Sequence, residues 1–201
     1  MKTFNGDRRA LIKQLPKRLN WVEVGVLRGG FSASILDYTL PKKLVLIDLW
    51  KQQPKEVYED GANVPDDQQE KIFKYVQLRF KAAIANGLVD IRRGYSVEMM
   101  RQLAGTPIDC VYLDANHSEP CTLADLREAW KLLRGDGLLL GHDYCHGDGA
   151  GNKFGVIPAV DKFIRGTPGI DLAFITKEQY PTYVLAPSVR AVELRIQLLG
   201  V

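Results

Sequence analysis

Short, nearly continuous apolar runs recur along this chain, each followed by a stretch with helical apolar spacing. That alternation restricts the possible folds more than any other feature. The runs are Trp21–Gly25, Lys43–Leu49, Leu88–Arg92, Ile108–Leu113 and Gly137–Gly141. Strands apolar on both faces suit a parallel sheet covered by helices on both sides. Helices are expected at Phe31–Leu40, Asp67–Asn86, Ser96–Ala104, Thr122–Leu133 and Ile157–Ile164, with a short one over 7–15 ahead of the first strand. Ile170–Thr176 and Pro181–Ala186 read as a closing antiparallel pair, and 188–199 as a final helix or an extended segment. The expected class is α/β: one doubly wound, mostly parallel sheet, with residues 1–201 as a single domain.

Composition narrows the function classes. Of 201 residues 25% are charged, and the net charge of +3 comes without a basic tail or arginine-rich run, so nothing points to nucleic acid. No run of about 18 apolar residues exists, which gives no reason to expect a membrane span. The opening residues lack an apolar stretch of signal-peptide length. Three cysteines (Cys110, Cys121 and Cys145) with no C-x-x-C pair argue against a disulfide framework or structural zinc. A reducing cytoplasm is the simplest expectation.

The first strand runs into Glu23-Val24-Gly25-Val26-Leu27-Arg28-Gly29-Gly30. A dinucleotide fingerprint needs G-x-G-x-x-G, and Leu27 breaks that spacing, which disfavours a nicotinamide oxidoreductase. The pattern is E-x-G-x-x-x-G, and it resembles the first motif of class I S-adenosylmethionine-dependent methyltransferases. The resemblance implies that Gly25, Gly29 and Gly30 pass under the methionine part of the cofactor while Glu23 meets its charged amine. A zwitterionic ligand needs acceptors as well as backbone donors, whereas a pyrophosphate needs mainly donors. The second strand ends in Ile47-Asp48-Leu49-Trp50, with Asp48 placed 23 residues after Gly25. An acid there can accept hydrogen bonds from ribose hydroxyls, and Leu49 or Trp50 could pack on adenine. By the same resemblance, Ser96 lies beside the adenine.

Strand four ends in Leu113-Asp114-Ala115-Asn116-His117-Ser118 and strand five in Gly141-His142-Asp143-Tyr144. Neighbouring strand ends lie about 4.8 Å apart, so these groups are expected to converge. The run V-Y-L-D-A-N-H-S, a helix with A-D-L-R-E-A-W, and then L-L-R-G-D-G-L-L-L-G-H-D-Y resemble the class I methyltransferase family 24 over roughly residues 20–165. I-D-L-W with Tyr58, Asp60 and Asn63 match the same pattern. That family is similar to catechol-type and macrolide-sugar O-methyltransferases, which implies a Rossmann-like methyltransferase fold. It also implies a divalent metal, Mg²⁺ or another, at Asp114, His142 and Asp143. His142 stands where a carboxylate is usual, and Mg²⁺ prefers oxygen. One His with two Asp equally suits Mn²⁺, Fe²⁺ or Zn²⁺.

The expected activity is O-methylation of a small polar, sugar-like or hydroxylated acceptor. His117 would be the general base, near its ordinary pKa of about 6.5, and Asp114 would hold the cofactor amine or a metal. Loops 51–66 and 144–156 are expected to cover the site, the second contributing His146, Asp148 and Lys153. A nucleic-acid amino-methyltransferase would show [D/N]-P-P-[Y/F] where this chain has Asp114-Ala115-Asn116-His117. The alternative is a catalytically silent cofactor-binding or assembly protein. The apolar residues Val192, Leu194, Ile196, Leu198 and Leu199 leave a homo-oligomer open.

Overall fold

Successive Cβ atoms of a strand point to opposite faces of its sheet, so the near-continuous apolar runs feed two apolar layers at once. In the computed structural model, which describes residues 2–147 and 154–200, Leu44, Leu46, Cys110 and Tyr112 face one layer. Val45, Ile47, Val111 and Leu113 face the other. The elements in chain order are β1 (Thr3–Phe4), α1 (Arg8–Gln14), β2 (Asn20–Val24), α2 (Gly30–Thr39), β3 (Lys43–Asp48), α3 (Asp66–Arg79), α4 (Lys81–Ala85) and β4 (Val89–Arg93). There follow α5 (Ser96–Arg101), β5 (Ile108–Leu113), α6 (Glu119–Leu132), β6 (Leu133–Gly141), α7 (Val156–Arg165), β7 (Ile170–Thr176), β8 (Tyr183–Pro187) and α8 (Ser188–Leu199).

These strands form one sheet among the described residues, in the order β1-β7-β8-β6-β5-β2-β3-β4. Every pair is parallel except those of β8, which runs antiparallel to both β6 and β7. Residues of α1, α2, α3 and α8 pack on one face, and residues of α5, α6 and α7 on the other. This is the expected doubly wound α/β sheet with an antiparallel strand near the C-terminus. No helix among the described residues is long and apolar enough to cross a membrane.

Several boundaries differ from expectation. The helix foreseen over Asp67–Asn86 breaks at Phe80 (φ −102°, ψ 14°), whose ring is buried in the core. The segment 188–199 is helical, with Ala191 and Leu194 buried and Val189, Val192 and Ile196 outside. Arg195 anchors it by donating to the carbonyls of Leu172 and Ala173 at 2.6 and 2.8 Å. A two-residue strand, β1, also pairs with the edge of β7, a contact too short to leave a periodic signal.

The sheet order reverses between β2 and β5, and there the backbones almost touch. Gly25 has φ +87°, and a Cβ on it would run into the Asp114 carbonyl. A methyl group at Gly25 therefore meets both left-handed strain and fixed backbone, whereas Gly30 faces open space. Gly25→Ala is expected to cost about 3 kcal/mol or more of unfolding free energy, and Gly30→Ala less than about 1 kcal/mol. Denaturant titration of both variants checks the contrast, and equal stabilities would contradict it.

Candidate active site

Val24 of β2 pairs with Ile47 of β3 on one side and Leu113 of β5 on the other, so three strand ends align. Open α/β sheets bind ligands at such a reversal, beyond the carboxyl ends of the strands. A cavity of about 440 Å³ lies there, lined by Glu23, Gly25, Gly30, Asp48, Leu49, Ser96, Asp114 and His117 among others. Its size suits a small-molecule or cofactor site.

Glu23 is a carboxyl on an otherwise apolar buried strand, 2% exposed. Burial pushes its pKa up to about 8, with repulsion from Asp114 adding to the shift. Its Oε2 has no hydrogen-bond partner among the described residues. An orphaned buried oxygen is costly, and at a cavity wall it marks a place where a ligand donor would be favourable.

Asp48 shapes the glycine loop. Its Oδ2 accepts from the Val26 and Leu27 N–H groups, both at 2.8 Å, and its Oδ1 from Trp50 N–H at 2.9 Å. Three of its roughly four acceptor directions are thus engaged. Trp50 is 1% exposed; its indole donates to the Leu27 carbonyl at 3.0 Å and packs 4.9 Å from Phe73. It is a core residue that staples the loop. Gly29, the left-handed N-cap of α2, lies over the Phe80 ring. Ser96 opens α5 and donates at 2.5 Å to Asp125 Oδ1. Burial raises the Asp125 carboxyl to about 7, against the opposing Ser96 hydrogen bond.

At the far end of the cavity β5 and β6 bring the expected groups together. His117 Nε2 lies 3.0 Å from Asp143 Oδ2 and 3.8 Å from Asp114 Oδ1, while its Nδ1 lies 3.8 Å from Asp60. His142 Nδ1 lies 3.1 Å from the same Asp143 oxygen. Asp143 takes φ +58°, an uncommon backbone state that places its carboxylate between the two rings. Burial works against charge on both imidazoles, but the neighbouring acids outweigh it. His117 rises to about 10 and His142 to about 9, and the histidines hold Asp143 well below the usual carboxylate range. Where the sequence led to the expectation of a ring near 6.5, the acids around His117 favour its protonated form.

The metal expectation shifts too. Donor atoms of Asp114, His117 and Asp143 lie within 4.8 Å of one another, and His142 Nδ1, of the set expected from sequence, lies 3.8 Å from Asp114 Oδ1 and 3.1 Å from Asp143 Oδ2. To hold a dication there, His117 must lose its proton, and Asp114 must share an oxygen set already engaged by Arg8 at 2.8 Å. As arranged, Asp114 and Asp143 already face Arg8, His117 and His142.

Sequence reasoning missed Arg8, Asp125 and Glu178. Arg8 reaches Asp114 across 106 positions, a separation that no spacing rule spans. Glu178 lies 4.0 Å from His142 Nε2 and accepts from Thr176 Oγ1 at 2.6 Å. Asp125 did leave a signal: an acid on the core-facing side of α6, between buried Leu123 and Leu126.

The 51–66 loop is tied down over the cavity. Asn63 exchanges two hydrogen bonds with Gln53 at 2.8 and 2.9 Å and donates to the Tyr58 carbonyl, and Asn116 donates to Val57. Of the 144–156 loop, Asp148 and Lys153 lie outside the described residues, and His146 is exposed. Phe154 packs 4.7 Å from the His117 ring.

With this geometry in hand, known proteins provide a comparison. A family model described as a methyltransferase domain matches residues 22–144, and the chain belongs to that family. No curated protein matches the chain in sequence. Among solved structures, an rRNA methylase from Streptococcus thermophilus is similar at TM-score 0.60 and 12% identity, over 89% of this chain and 93% of that one. A Streptococcus mutans protein solved in complex with SAH has TM-score 0.59 and 12% identity, over 89% and 94%. An O-methyltransferase family protein from Burkholderia thailandensis has TM-score 0.61 and 13% identity, over 90% of this chain and 55% of that one. At these identities the likeness is one of fold.

The raised histidines have a measurable consequence for stability. A histidine whose folded pKa exceeds its unfolded value of about 6.5 stabilises fully below that pH, and the contribution vanishes as pH rises through the folded value. With folded values of about 10 and 9, the loss runs from about pH 6.5 to 10. The melting temperature is expected to fall across this window more steeply in the wild type than in His117→Gln/His142→Gln. Parallel curves would show that the two rings are not held charged by Asp143.

Proposed function

We propose that this chain is an S-adenosylmethionine-dependent methyltransferase that methylates an oxygen of a small polar, hydroxylated acceptor. One observation carries the reading: a cavity at the sheet reversal is lined both by Glu23, a buried acid with one oxygen unpaired, and by His117, which lies 3.0 Å from Asp143. Membership of the methyltransferase-domain family and a fold shared with a protein solved with SAH support it.

The residues fit such a cofactor. Glu23 and Asp114 would receive its ammonium. Gly25 and Gly30 leave the wall without side chains, and Asp48 and Leu49 would meet the ribose and adenine beside Ser96 and Asp125. When bound, the cofactor supplies an electrophilic methyl group with a neutral thioether as leaving group. The chain then has two tasks, to orient the acceptor in line and to take away its proton. Asp143 orients His117, and Phe154 packs against the ring. His117, in its neutral form after releasing its proton to solvent, is the group placed to receive the acceptor's proton. Tyr58 and Asp60 of the covering loop would exclude water and contact polar groups of the acceptor.

Calorimetry with S-adenosylhomocysteine tests the cofactor assignment. Micromolar affinity is expected for the wild type and a loss of at least about tenfold for Asp48→Ala, which removes the remaining acceptor and releases the Val26 and Leu27 N–H groups that hold the glycine loop, together roughly 1.5–3 kcal/mol. Absence of binding would overturn the proposal. Transfer of labelled methyl to a panel of hydroxylated metabolites, run beside rRNA, then identifies the acceptor class. Labelling of rRNA alone would replace the small-molecule reading. Binding without any transfer would favour the silent cofactor-binding alternative. With an acceptor found, His117→Ala is expected to lower turnover by about 10²–10⁴-fold while leaving S-adenosylhomocysteine affinity within about threefold. Unchanged turnover would remove His117 from the mechanism.

A further inference from the structure

We propose that Arg8, on the N-terminal helix α1, binds the carboxylate at the amino-acid end of the cofactor and makes the site select an intact α-amino acid. The inference rests on the cofactor reading above and adds a specificity determinant from outside the matched family region, which begins at residue 22.

Position comes first. Arg8 lines the same cavity as Glu23 and Asp114. Its Nη1 donates to Asp114 Oδ2 at 2.8 Å and to the Tyr112 hydroxyl at 3.2 Å, and its guanidinium carbon lies 4.8 Å from the centre of the Phe31 ring. Both side-chain bonds use Nη1, and among the described residues Nε and Nη2 donate to none. One edge of a planar fork is therefore free, and that edge matches a carboxylate bidentately. The other cations at the cavity are less suited. Arg9 is engaged with Ser34 at 3.1 Å, and Arg28 and Lys51 are exposed.

Charge complementarity comes second. An α-amino acid carries an ammonium and a carboxylate on one carbon, so its binding site needs an anion and a cation side by side. Arg8 beside Asp114 forms such a pair, and the orphaned Glu23 Oε2 adds an acceptor at the cavity wall. On binding, the ammonium would join Asp114 while the carboxylate takes the unused edge of the fork. The Arg8–Asp114 pair stays in place between the two ligand charges, and no charge is left buried alone.

Rigidity comes third. The Arg8 backbone N–H donates to Glu178 Oε1 at 2.9 Å, and Asp7 caps the helix through Ala10 N–H at 2.8 Å. Lys177 N–H bridges the carbonyls of Phe4 and Gly6, both at 3.0 Å, and β1 pairs with β7. The helix is thus bolted to the sheet edge with its arginine already at the site, so little ordering cost remains on binding.

The test compares two ligands by calorimetry: S-adenosylhomocysteine and its decarboxylated analogue, which keeps the adenosine, thioether and amine. The wild type is expected to prefer S-adenosylhomocysteine by about tenfold to a hundredfold, the range of a charge-assisted fork. In Arg8→Met, which keeps an unbranched apolar side chain, the preference should collapse to within about threefold, chiefly through weaker S-adenosylhomocysteine binding. Arg8→Lys, a charge without the fork, should retain part of it, and carries the comparison if a thermal melt shows Arg8→Met to be poorly folded. An undiminished preference in the folded variants would overturn the role of Arg8 and leave the cofactor reading standing. A wild type that binds neither ligand would overturn both.

Discussion

The contact between Gly25 and the Asp114 carbonyl is the constraint on which the site depends. It exists because β2 is the strand at which the sheet reverses, so the chain leaves β2 and β5 at the same edge and in the same direction. Two parallel strand ends with nothing between them open a cleft, and only a residue without a Cβ lets them close this far. The loop after Gly25 is then held by the chain itself. Asp48 caps two of its N–H groups, and Trp50 takes the Leu27 carbonyl. A loop fixed in this way is preformed for a ligand.

The second organising element is electrostatic. Asp143 is held in a strained backbone state between two imidazoles, with Asp114, Asp60 and Glu178 around them and Arg8 on the outer side. Each acid stabilises a neighbouring cation in a partly buried place where water screens little. Such a cluster stores polar free energy at the carboxyl edge of the sheet, beside the cavity, where a bound ligand can rearrange it.

Helix α1 and the 51–66 loop bring parts of the chain far apart in sequence to the same opening. The first is anchored through β1 and Glu178, the second through Asn63 and Asn116. Helix α1 is also held by its buried Leu11 and Ile12, whereas the loop stays in place over the cavity through side-chain to backbone hydrogen bonds.

Apolar periodicity by itself determined the layers, because a near-continuous run such as KLVLID can only be satisfied with cover on both faces. The E-x-G-x-x-x-G spacing, Asp48 and the strand-end acids were legible for the same reason: they sit at fixed distances from strands that the pattern locates. Tertiary structure decided the rest. How closely His117 and His142 approach Asp114 and Asp143 depends on side-chain direction at two strand ends, and the electrostatics of His117 depend on acids from three segments of the chain. Trp50 reads equally as a ligand platform or as core until its indole is seen on the Leu27 carbonyl. Arg8 carries no local signal at all, because its partner lies on a strand 106 residues away. Short-range pattern reports backbone period and burial, whereas charge, partner and orientation are set by what folding brings within a few ångströms.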